Sequence, residues 1–265
     1  MLSASDITFG YRRQTPGGGF AVRGLTLTIP DGSVTGLLGP NGSGKTTLLK
    51  LLSGVLTPEA GSVRLRGRPL DDMPRRQVAR RIATVPQETH PAFDYSCLEM
   101  VLMGRHPHLG AFEFEGPSDF AIAYEAMRAT GTEHLAERSY MTLSGGEKQR
   151  VVIAAALAQT SDILLLDEPT ASLDLGFQLD ISDLLRRLNR ERHVTMLLAT
   201  HDVNLAAALC DTLILLRDGR VLAHGPTSEI LTAPAIARLY DVVADVALHP
   251  LAGHLTVTAM RRAPR

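Results

Sequence analysis

The segment Gly39–Thr46 reads GPNGSGKT and directly follows the apolar run Val34–Leu38, VTGLL. That run has the length and composition of a buried strand, and a helix-like pattern begins at Lys45 and ends at Gly54. The pattern G-x-x-x-x-G-K-[S/T] between a strand and a helix is typical of a phosphate-binding loop. The alternative, a glycine-rich turn with a surface lysine, is disfavoured by the flanking strand and helix. We therefore predict that this segment binds the phosphates of a nucleotide.

Each residue type in this loop suits a phosphate group. Glycines let backbone N–H groups turn inward, the helix N-terminus adds a partial positive charge, and Lys45 adds a full one. We expect the hydroxyl of Thr46 to ligate Mg²⁺ and Thr47 to lie near the α-phosphate. The residues of this segment predicted to contact the nucleotide are Gly39, Pro40, Asn41, Gly42, Ser43, Gly44, Lys45, Thr46 and Thr47.

Two adjacent carboxylates end a second apolar run, Ile163–Pro169, which reads ILLLDEP. A nucleotide site needs a carboxylate at the end of a buried strand, so we expect Asp167 to hold Mg²⁺ through water. Glu168, one peptide further, is expected to polarise an attacking water as a general base. Two acids at a strand end can also form a solvated turn without a role. The phosphate loop in the same chain favours the catalytic interpretation.

A third motif, Leu143–Arg150, reads LSGGEKQR and opens an apolar helix pattern. Ser144 is a natural N-cap, and Gly145 and Gly146 leave the N–H groups of the first turn unobstructed, which makes a second anion site. A second helix N-terminus that is suited to bind phosphate is unusual in a monomer. With this motif the sequence resembles the ABC ATPase family, whose signature segment is LSGGQ. Glu147 stands where glutamine is commoner in that family.

The resemblance covers nearly the whole chain and implies further site residues. Gln87 looks like the glutamine that touches Mg²⁺ and the attacking water, and residues Ser172–Asp174 match the D-loop. His201 matches the switch histidine that contacts the γ-phosphate. Tyr11 resembles the aromatic residue on which adenine stacks, with Phe20 close by as an alternative. A single histidine or glutamine after a strand is usually structural, so these assignments depend on the motifs occurring together.

The resemblance also implies a mechanism. In the family, ATP lies between the phosphate loop of one subunit and the signature segment of the other, so one copy of each motif implies a homodimer. Glu168 is expected to activate water, Lys45 and Mg²⁺ to neutralise developing charge, and His201 to stabilise the transferred phosphoryl group. Gln87 is the fourth residue assigned to catalysis. The signature residues expected at ATP are Ser144, Gly145, Gly146 and Glu147.

The predicted fold is α/β, with a P-loop (RecA-like) core sheet, an N-terminal antiparallel β region and an inserted helical subdomain. Period-two alternation over residues 7–11 and 25–29 indicates half-buried strands, and short apolar runs separated by helical segments indicate a parallel sheet. Asp218-Gly219 predicts a tight hairpin, whereas the tail after residue 234 is uninformative. We expect one ABC ATPase domain over residues 1–265, with a core of residues 1–87 and 161–265 and a helical subdomain of residues 88–160.

Charge and composition exclude some classes of protein. The 265 residues carry 27 basic and 28 acidic side chains, and this balance argues against the broad basic face of a nucleic-acid-binding protein. Cys97 and Cys210 are interpreted as small core residues in a reducing compartment. No secretory signal is visible, and the longest apolar run, Val151–Ala158, is too short to span a membrane. At a membrane, a partner would supply the spanning segments.

Four segments resemble the importers of iron-siderophore, haem and cobalamin complexes: VLMGRHPHLG, LDLGFQLD, THDVNLA and DGRVLAHGP. The resemblance implies polytopic membrane permease subunits as partners, a substrate-binding protein acting indirectly, and a peripheral position at the cytoplasmic face of the inner membrane. No nucleic-acid partner is expected. His106 and His108 fall short of a typical metal site and are interpreted as part of a surface turn near the permease groove.

Two other classes of protein carry a phosphate loop. Soluble ABC ATPases that act on ribosomes or DNA usually have two cassettes or a long coiled coil, and this chain has one cassette and no sustained heptads. A GTPase switch would need an N-K-x-D segment, which the sequence lacks. The favoured function is that of the ATPase subunit of an importer, and the alternative is that of a soluble ABC ATPase acting on a ribosome or nucleic acid.

Overall fold

The computed structural model describes residues 1–11, 21–171 and 173–263. The chain divides into two compact units, Met1–Met73 with His193–Arg265, and Pro74–Arg192. The expected turn at residues 16–19, the alternative aromatic Phe20 and Ser172 of the D-loop lie outside the described residues.

Strands and helices alternate along most of the chain. The strands are β1 (Leu2–Gly10), β2 (Ala21–Ile29), β3 (Val34–Leu38), β4 (Ala60–Leu65), β5 (Arg68–Pro69), β6 (Ile82–Val85), β7 (Ile163–Asp167), β8 (Thr195–Thr200), β9 (Thr212–Arg217), β10 (Arg220–Pro226), β11 (Val242–Leu248) and β12 (Leu255–Arg262). The helices are α1 (Lys45–Leu52), α2 (Arg75–Ala79), α3 (Cys97–Leu102), α4 (Pro117–Thr130), α5 (Gly145–Ala158), α6 (Leu175–Arg192), α7 (Val203–Leu209), α8 (Thr227–Ile230) and α9 (Ala233–Tyr240).

The first unit contains an antiparallel sheet in the order β2-β1-β4-β5. Its strands carry the alternation that the sequence predicts, because every second side chain points into the core. Ile7, Leu25, Leu27 and Ile29 are all buried. The predicted N-terminal antiparallel region is thus confirmed.

The same unit contains a second sheet, in which β3 lies between β8 and β9 and pairs in parallel with both. All five residues of β3 and all six of β8 are buried, which explains their continuous apolar runs. Strand β10 adds an antiparallel edge through a turn at Asp218 and Gly219, whose φ angles are 51° and 72°. The hairpin predicted from this dipeptide is confirmed.

The tail adds α9 and an antiparallel hairpin of β11 and β12 to the first unit. The sequence predicted no element here because the exposed hairpin alternates weakly. Arg217 holds the start of the hairpin, since its Nη1 and Nη2 atoms donate to the Asp241 carboxylate at 2.9 and 2.6 Å.

The second unit contains the parallel pair β6–β7 and helices α2 to α6. Between residues 97 and 158 its regular elements are helical, and an isolated bridge joins Ser96 to Ser139. The predicted α/β class with a helical region is confirmed, whereas the exact domain boundaries stay predictions.

The two cysteines, Cys97 in the second unit and Cys210 in the first, are buried free thiols, as expected for small core residues.

A buried ion pair joins the 3-10 turn Met103–Arg105, directly after α3, to helices α4 and α5 of the second unit. Arg105 Nε donates to Asp119 Oδ1 at 2.9 Å, and Arg105 Nη1 donates to the Ala158 carbonyl at 2.7 Å. Asp119 Oδ2 accepts from the Gly116 N–H at 3.0 Å. The hydrogen bond from Arg105 is the main reason that the pKa of Asp119 is lowered.

We expect Arg105→Met to lower the free energy of unfolding by about 3 kcal/mol, because it leaves the buried Asp119 carboxylate without its cation. Arg128→Met is the matched control, since Arg128 pairs with Glu133 at 3.0 Å on the surface. The control should cost less than about 1 kcal/mol. Urea unfolding followed by circular dichroism measures both, and equal losses would contradict the role given to the buried pair.

Candidate functional site

The phosphate loop leaves the carboxyl end of β3 and enters α1 at Lys45. Its glycines are required by geometry. A Cβ atom on Gly39 would lie 2.2 Å from the Leu216 carbonyl oxygen and 2.5 Å from Ser43 Oγ. Gly44 caps α1 with φ of 110°, and Gly42 has φ of 79°; side chains rarely adopt either conformation. At these three positions the loop therefore presents backbone rather than side chains.

Polar groups of the loop are oriented toward its interior. Lys45 is buried, and its Nζ donates to the Gly39 carbonyl at 2.9 Å and to the Pro40 carbonyl at 3.4 Å. Ser43 Oγ is buried and has no hydrogen-bond partner among the described residues. An ammonium and an unsatisfied hydroxyl beside the amides of a helix N-terminus fit the phosphate chain of a nucleotide. Thr46 is exposed and Thr47 is buried in the first turn.

The structure brings His201 to the same sheet edge as the phosphate loop. Leu38 of β3 is the register partner of Thr200 of β8, and the two strands are parallel. Gly39 and His201 are the next residues on each strand, so they leave the sheet side by side. His201 is exposed, and its carbonyl accepts from Tyr240 Oη at 3.4 Å.

In the second unit, the structure brings Gln87 and the two carboxylates to a common edge. Val85 of β6 is the register partner of Leu166 of β7, again in parallel. Asp167 ends β7 and is buried, whereas Gln87 is exposed. Glu168 is half-buried and adopts φ of 48°, a left-handed conformation that is strained for glutamate. Strain at a residue assigned to catalysis is a pattern typical of functional sites.

The signature segment begins α5 as predicted, with Ser144 at the N-cap. Ser144 N–H and Oγ both donate to Glu147 Oε2 at 2.8 Å, which completes a capping box. These two hydrogen bonds hold the pKa of Glu147 below its usual range. Gly146 has a packing requirement that the sequence did not reveal, because a Cβ atom there would lie 2.3 Å from Phe177 Cδ1. Gly145 is exposed.

Tyr11 follows the antiparallel sheet rather than the sheet that carries the phosphate loop. The residue is 42% exposed, and its ring packs edge-to-face on Phe9, with centroids 5.0 Å apart. His106 is exposed, and His108 Nε2 lies 2.9 Å from the Gln159 carbonyl oxygen. Among the described residues, no group of three or more His, Cys, Asp and Glu side chains is arranged to hold a metal ion.

The chain belongs to the ABC transporter family, because the family's model matches residues 22–171. The resemblance drawn from the motifs is therefore confirmed, and with it the class of ATP-hydrolysing ABC ATPase. No helix of the described residues is long and apolar enough to cross a membrane.

Among individual proteins, the chain is 41% identical to the ferric enterobactin transport ATP-binding protein FepC of Escherichia coli K12 over 264 residues, covering 99% of this chain and 96% of that protein. It is 40% identical to the hemin import ATP-binding protein HmuV of Bordetella pertussis over 252 residues, covering 92% and 95% of the two chains.

Solved structures of ABC transporters share the fold. A metal-chelate type ABC transporter in an inward-facing conformation superposes with a TM-score of 0.83 at 30% identity, over 98% of this chain and 96% of that one. A dimeric bacterial ABC transporter cassette, MJ0796, superposes with a TM-score of 0.73 at 29% identity, over 86% and 99%. The same cassette is known in a post-hydrolysis state with ADP and Pi.

The Glu147 carboxyl is expected to titrate below its ordinary value of 4.5. The ionised Glu147 carboxylate then stabilises the start of α5 fully above pH 4.5, and this stabilisation is lost as the pH falls through the lower pKa of the folded state. Ser144→Ala should raise the midpoint only partly, because the residue 144 N–H still donates. Carbon-13 NMR of labelled glutamates measures the midpoints.

Glu99, which is capped in the same way by Ser96, is the internal control for this titration. Its midpoint should be the same in the Ser144→Ala variant and in the wild type. An unmoved Glu147 midpoint in that variant would refute the contribution of the Ser144 hydroxyl.

Proposed function

We propose that this chain is the ATP-hydrolysing subunit of a membrane ABC importer for metal chelates. The observation that carries the proposal is the end-to-end match to the ferric enterobactin transport ATP-binding protein, over 99% of this chain and 96% of that protein. The hemin import relative and the metal-chelate type transporter favour the same kind of cargo. Other subunits are expected to bind the chelate, so we assign no chelate site to this chain.

ATP binding is assigned to the phosphate loop. The amides of Gly42, Gly44 and Lys45 are expected to surround the phosphate oxygens, and Lys45 would exchange its carbonyl contacts for the β- and γ-phosphates. The unsatisfied Ser43 hydroxyl supports this fit. Tyr11 is proposed as the platform for adenine, since its ring is exposed at the end of β1.

The metal that neutralises the phosphates is proposed to be Mg²⁺, held by the Thr46 hydroxyl, by Asp167 and by Gln87. Mg²⁺ keeps several of its waters and needs only one or two carboxylates, so this donor set suits it. When bound, it would draw charge from the transferred phosphoryl group. Asp167 lies at the end of β7 and is 8% exposed.

Hydrolysis is assigned to Glu168, with His201 and Gln87 in supporting roles. The Glu168 carboxylate is proposed to take a proton from the attacking water, and the fixed left-handed backbone at this residue would help to orient it. His201 would donate to an oxygen of the γ-phosphate as charge develops there. Gln87 would orient the attacking water.

The working unit is proposed to be a homodimer. Ser144, Gly145, Gly146 and Glu147 of one copy would meet the γ-phosphate on the phosphate loop of the other, so that ATP closes the pair and hydrolysis reopens it. The dimeric cassette with the same fold supports this arrangement. Contact with ATP would require the Ser144 hydroxyl to be shared between the phosphate and Glu147.

The remaining partners are proposed to be polytopic permease subunits. A substrate-binding protein on the other side of the membrane would deliver the chelate to these subunits and so be an indirect partner of this chain. The chain would then lie peripherally at the cytoplasmic face of the inner membrane. Residues 88–160 are proposed as the helical subdomain that contacts the permease, and residues 1–87 and 161–265 as the ATPase core.

We expect Glu168→Gln to reduce ATP turnover by about 100-fold or more, because it keeps the side-chain shape and removes the base. ATP should still bind and hold the dimer closed, as measured by light scattering. Glu191→Gln, at the exposed end of α6, is the matched control and should turn over normally. Normal turnover in Glu168→Gln would refute the assignment of the base.

Lys45→Ala should instead weaken ATP binding itself.

The importer proposal is tested by recovering tagged Glu168→Gln protein from detergent-solubilised membranes in the presence of ATP. A polytopic membrane protein should copurify in a stoichiometric amount, and its chelate should stimulate ATP hydrolysis by the wild-type complex. A ribosomal or nucleic-acid partner in its place would identify a soluble ABC ATPase and refute the importer function.

A further inference from the structure

The C-terminal hairpin, β11 and β12, contacts the segment that carries His201. Asn204 lies in the first turn of α7, three residues after His201. Its Nδ2 donates to the Val257 carbonyl of β12 at 3.2 Å, and its Oδ1 accepts from the Val257 N–H at 2.7 Å. One side chain thus forms both hydrogen bonds that a neighbouring strand would form.

The geometry of the hairpin explains why this contact is available. Val257 is opposite Val246 of β11 in the antiparallel register. In such a ladder, both backbone groups of a residue point either toward the partner strand or away from it. Because both groups of Val257 reach Asn204, they face away from β11 at the outer edge of the hairpin. Asn204 therefore satisfies edge groups and joins the hairpin to α7.

Two further contacts hold the same segment. Asp202 caps α7, because its Oδ1 accepts from the N–H groups of Asn204 at 2.9 Å and Leu205 at 3.0 Å. Tyr240 Oη, at the end of α9 and directly before the hairpin, donates to the His201 carbonyl at 3.4 Å. The backbone of His201 is thus held between the end of β8 and the C-terminal elements.

These contacts surround an open cavity of about 820 Å³, lined in part by His201, Asn204, Tyr240 and Val257. The hydrogen bonds of Asn204 and Tyr240 join residues 201–205 to the C-terminal elements beside this cavity.

We propose that Asn204 is a positioning residue, and that through it the C-terminal hairpin holds His201 in place for ATP hydrolysis. This inference rests on the proposed role of His201 at the γ-phosphate. A small displacement of such a group lowers the rate of chemistry without weakening substrate binding, because binding is borne by the phosphate loop.

Two variants break the contact from opposite sides. Asn204→Leu removes both hydrogen bonds at similar volume. Val257→Pro removes only the N–H donor, and proline is tolerated at an outward-facing edge position. Leu251→Ala, at the hairpin tip and 93% exposed, is the control. Thermal unfolding and the number of ATP-binding sites per chain confirm that each variant is folded.

Hydrogen exchange measured by mass spectrometry tests the positioning step by itself. Amides of residues 201–205 should exchange faster in Asn204→Leu and in Val257→Pro than in the wild type or in Leu251→Ala. Unchanged exchange in both variants would overturn the inference, whatever His201 does.

Steady-state kinetics test the consequence for hydrolysis. The kcat per ATP site should fall about tenfold in both variants, with unchanged affinity for ATP and no change in Leu251→Ala. In a His201→Ala background, Asn204→Leu should cause no additional loss, because the two residues act as a unit. An equal additional loss in that background would overturn the inference.

The His201→Ala variant alone distinguishes a failure of the proposed function from a failure of the role of Asn204. Low kcat in His201→Ala together with normal kcat in Asn204→Leu would leave the proposed function intact and overturn the role of Asn204. Normal kcat in His201→Ala would refute the role proposed for His201 and, with it, this inference.

Discussion

The hydrogen-bond register between parallel strands is the constraint on which the candidate site depends. In a parallel pair the carboxyl ends of both strands meet the same edge, so the residues that follow are neighbours whatever their separation in sequence. Leu38 opposite Thr200 makes Gly39 and His201 neighbours, and Val85 opposite Leu166 does the same for the segments after β6 and β7. Every residue of β3, β7 and β8 is buried. A shift of one residue in either pair would therefore disturb the close packing on both faces of these strands, and this packing maintains the alignment.

Backbone conformation sets the shape of the site as strongly as its charges do. The phosphate loop excludes a side chain at Gly39 because the Leu216 carbonyl and Ser43 occupy the space where a Cβ atom would lie. Glu168 is held in a left-handed conformation, and Gly146 lets the ring of Phe177 approach the start of α5. Each of these features costs conformational freedom or strain, which the surrounding buried strands and helices offset.

Electrostatic contacts in the second unit hold helix ends in position. Ser96 with Glu99, and Ser144 with Glu147, form the same capping box at the starts of α3 and α5. In both boxes the carboxylate accepts hydrogen bonds from the backbone N–H and from the hydroxyl of the capping serine, and these bonds lower its pKa. A capping carboxylate needs only its oxygen acceptors, so the glutamate in LSGGE performs this structural role as a glutamine would. That chemistry explains how the signature tolerates Glu147.

The sequence by itself determined the class of fold, the family and the local conformation of each motif, because glycine positions, strand alternation and capping residues act over a few residues. It correctly located the glycine-rich loop between β3 and α1, the hairpin at Asp218 and the N-cap at Ser144. Only the tertiary structure decided which motifs share an edge, that Phe177 packs on Gly146, and that Asn204 pairs with Val257. These contacts join residues 31 and 53 positions apart. No local pattern records them, because they arise when separate elements pack.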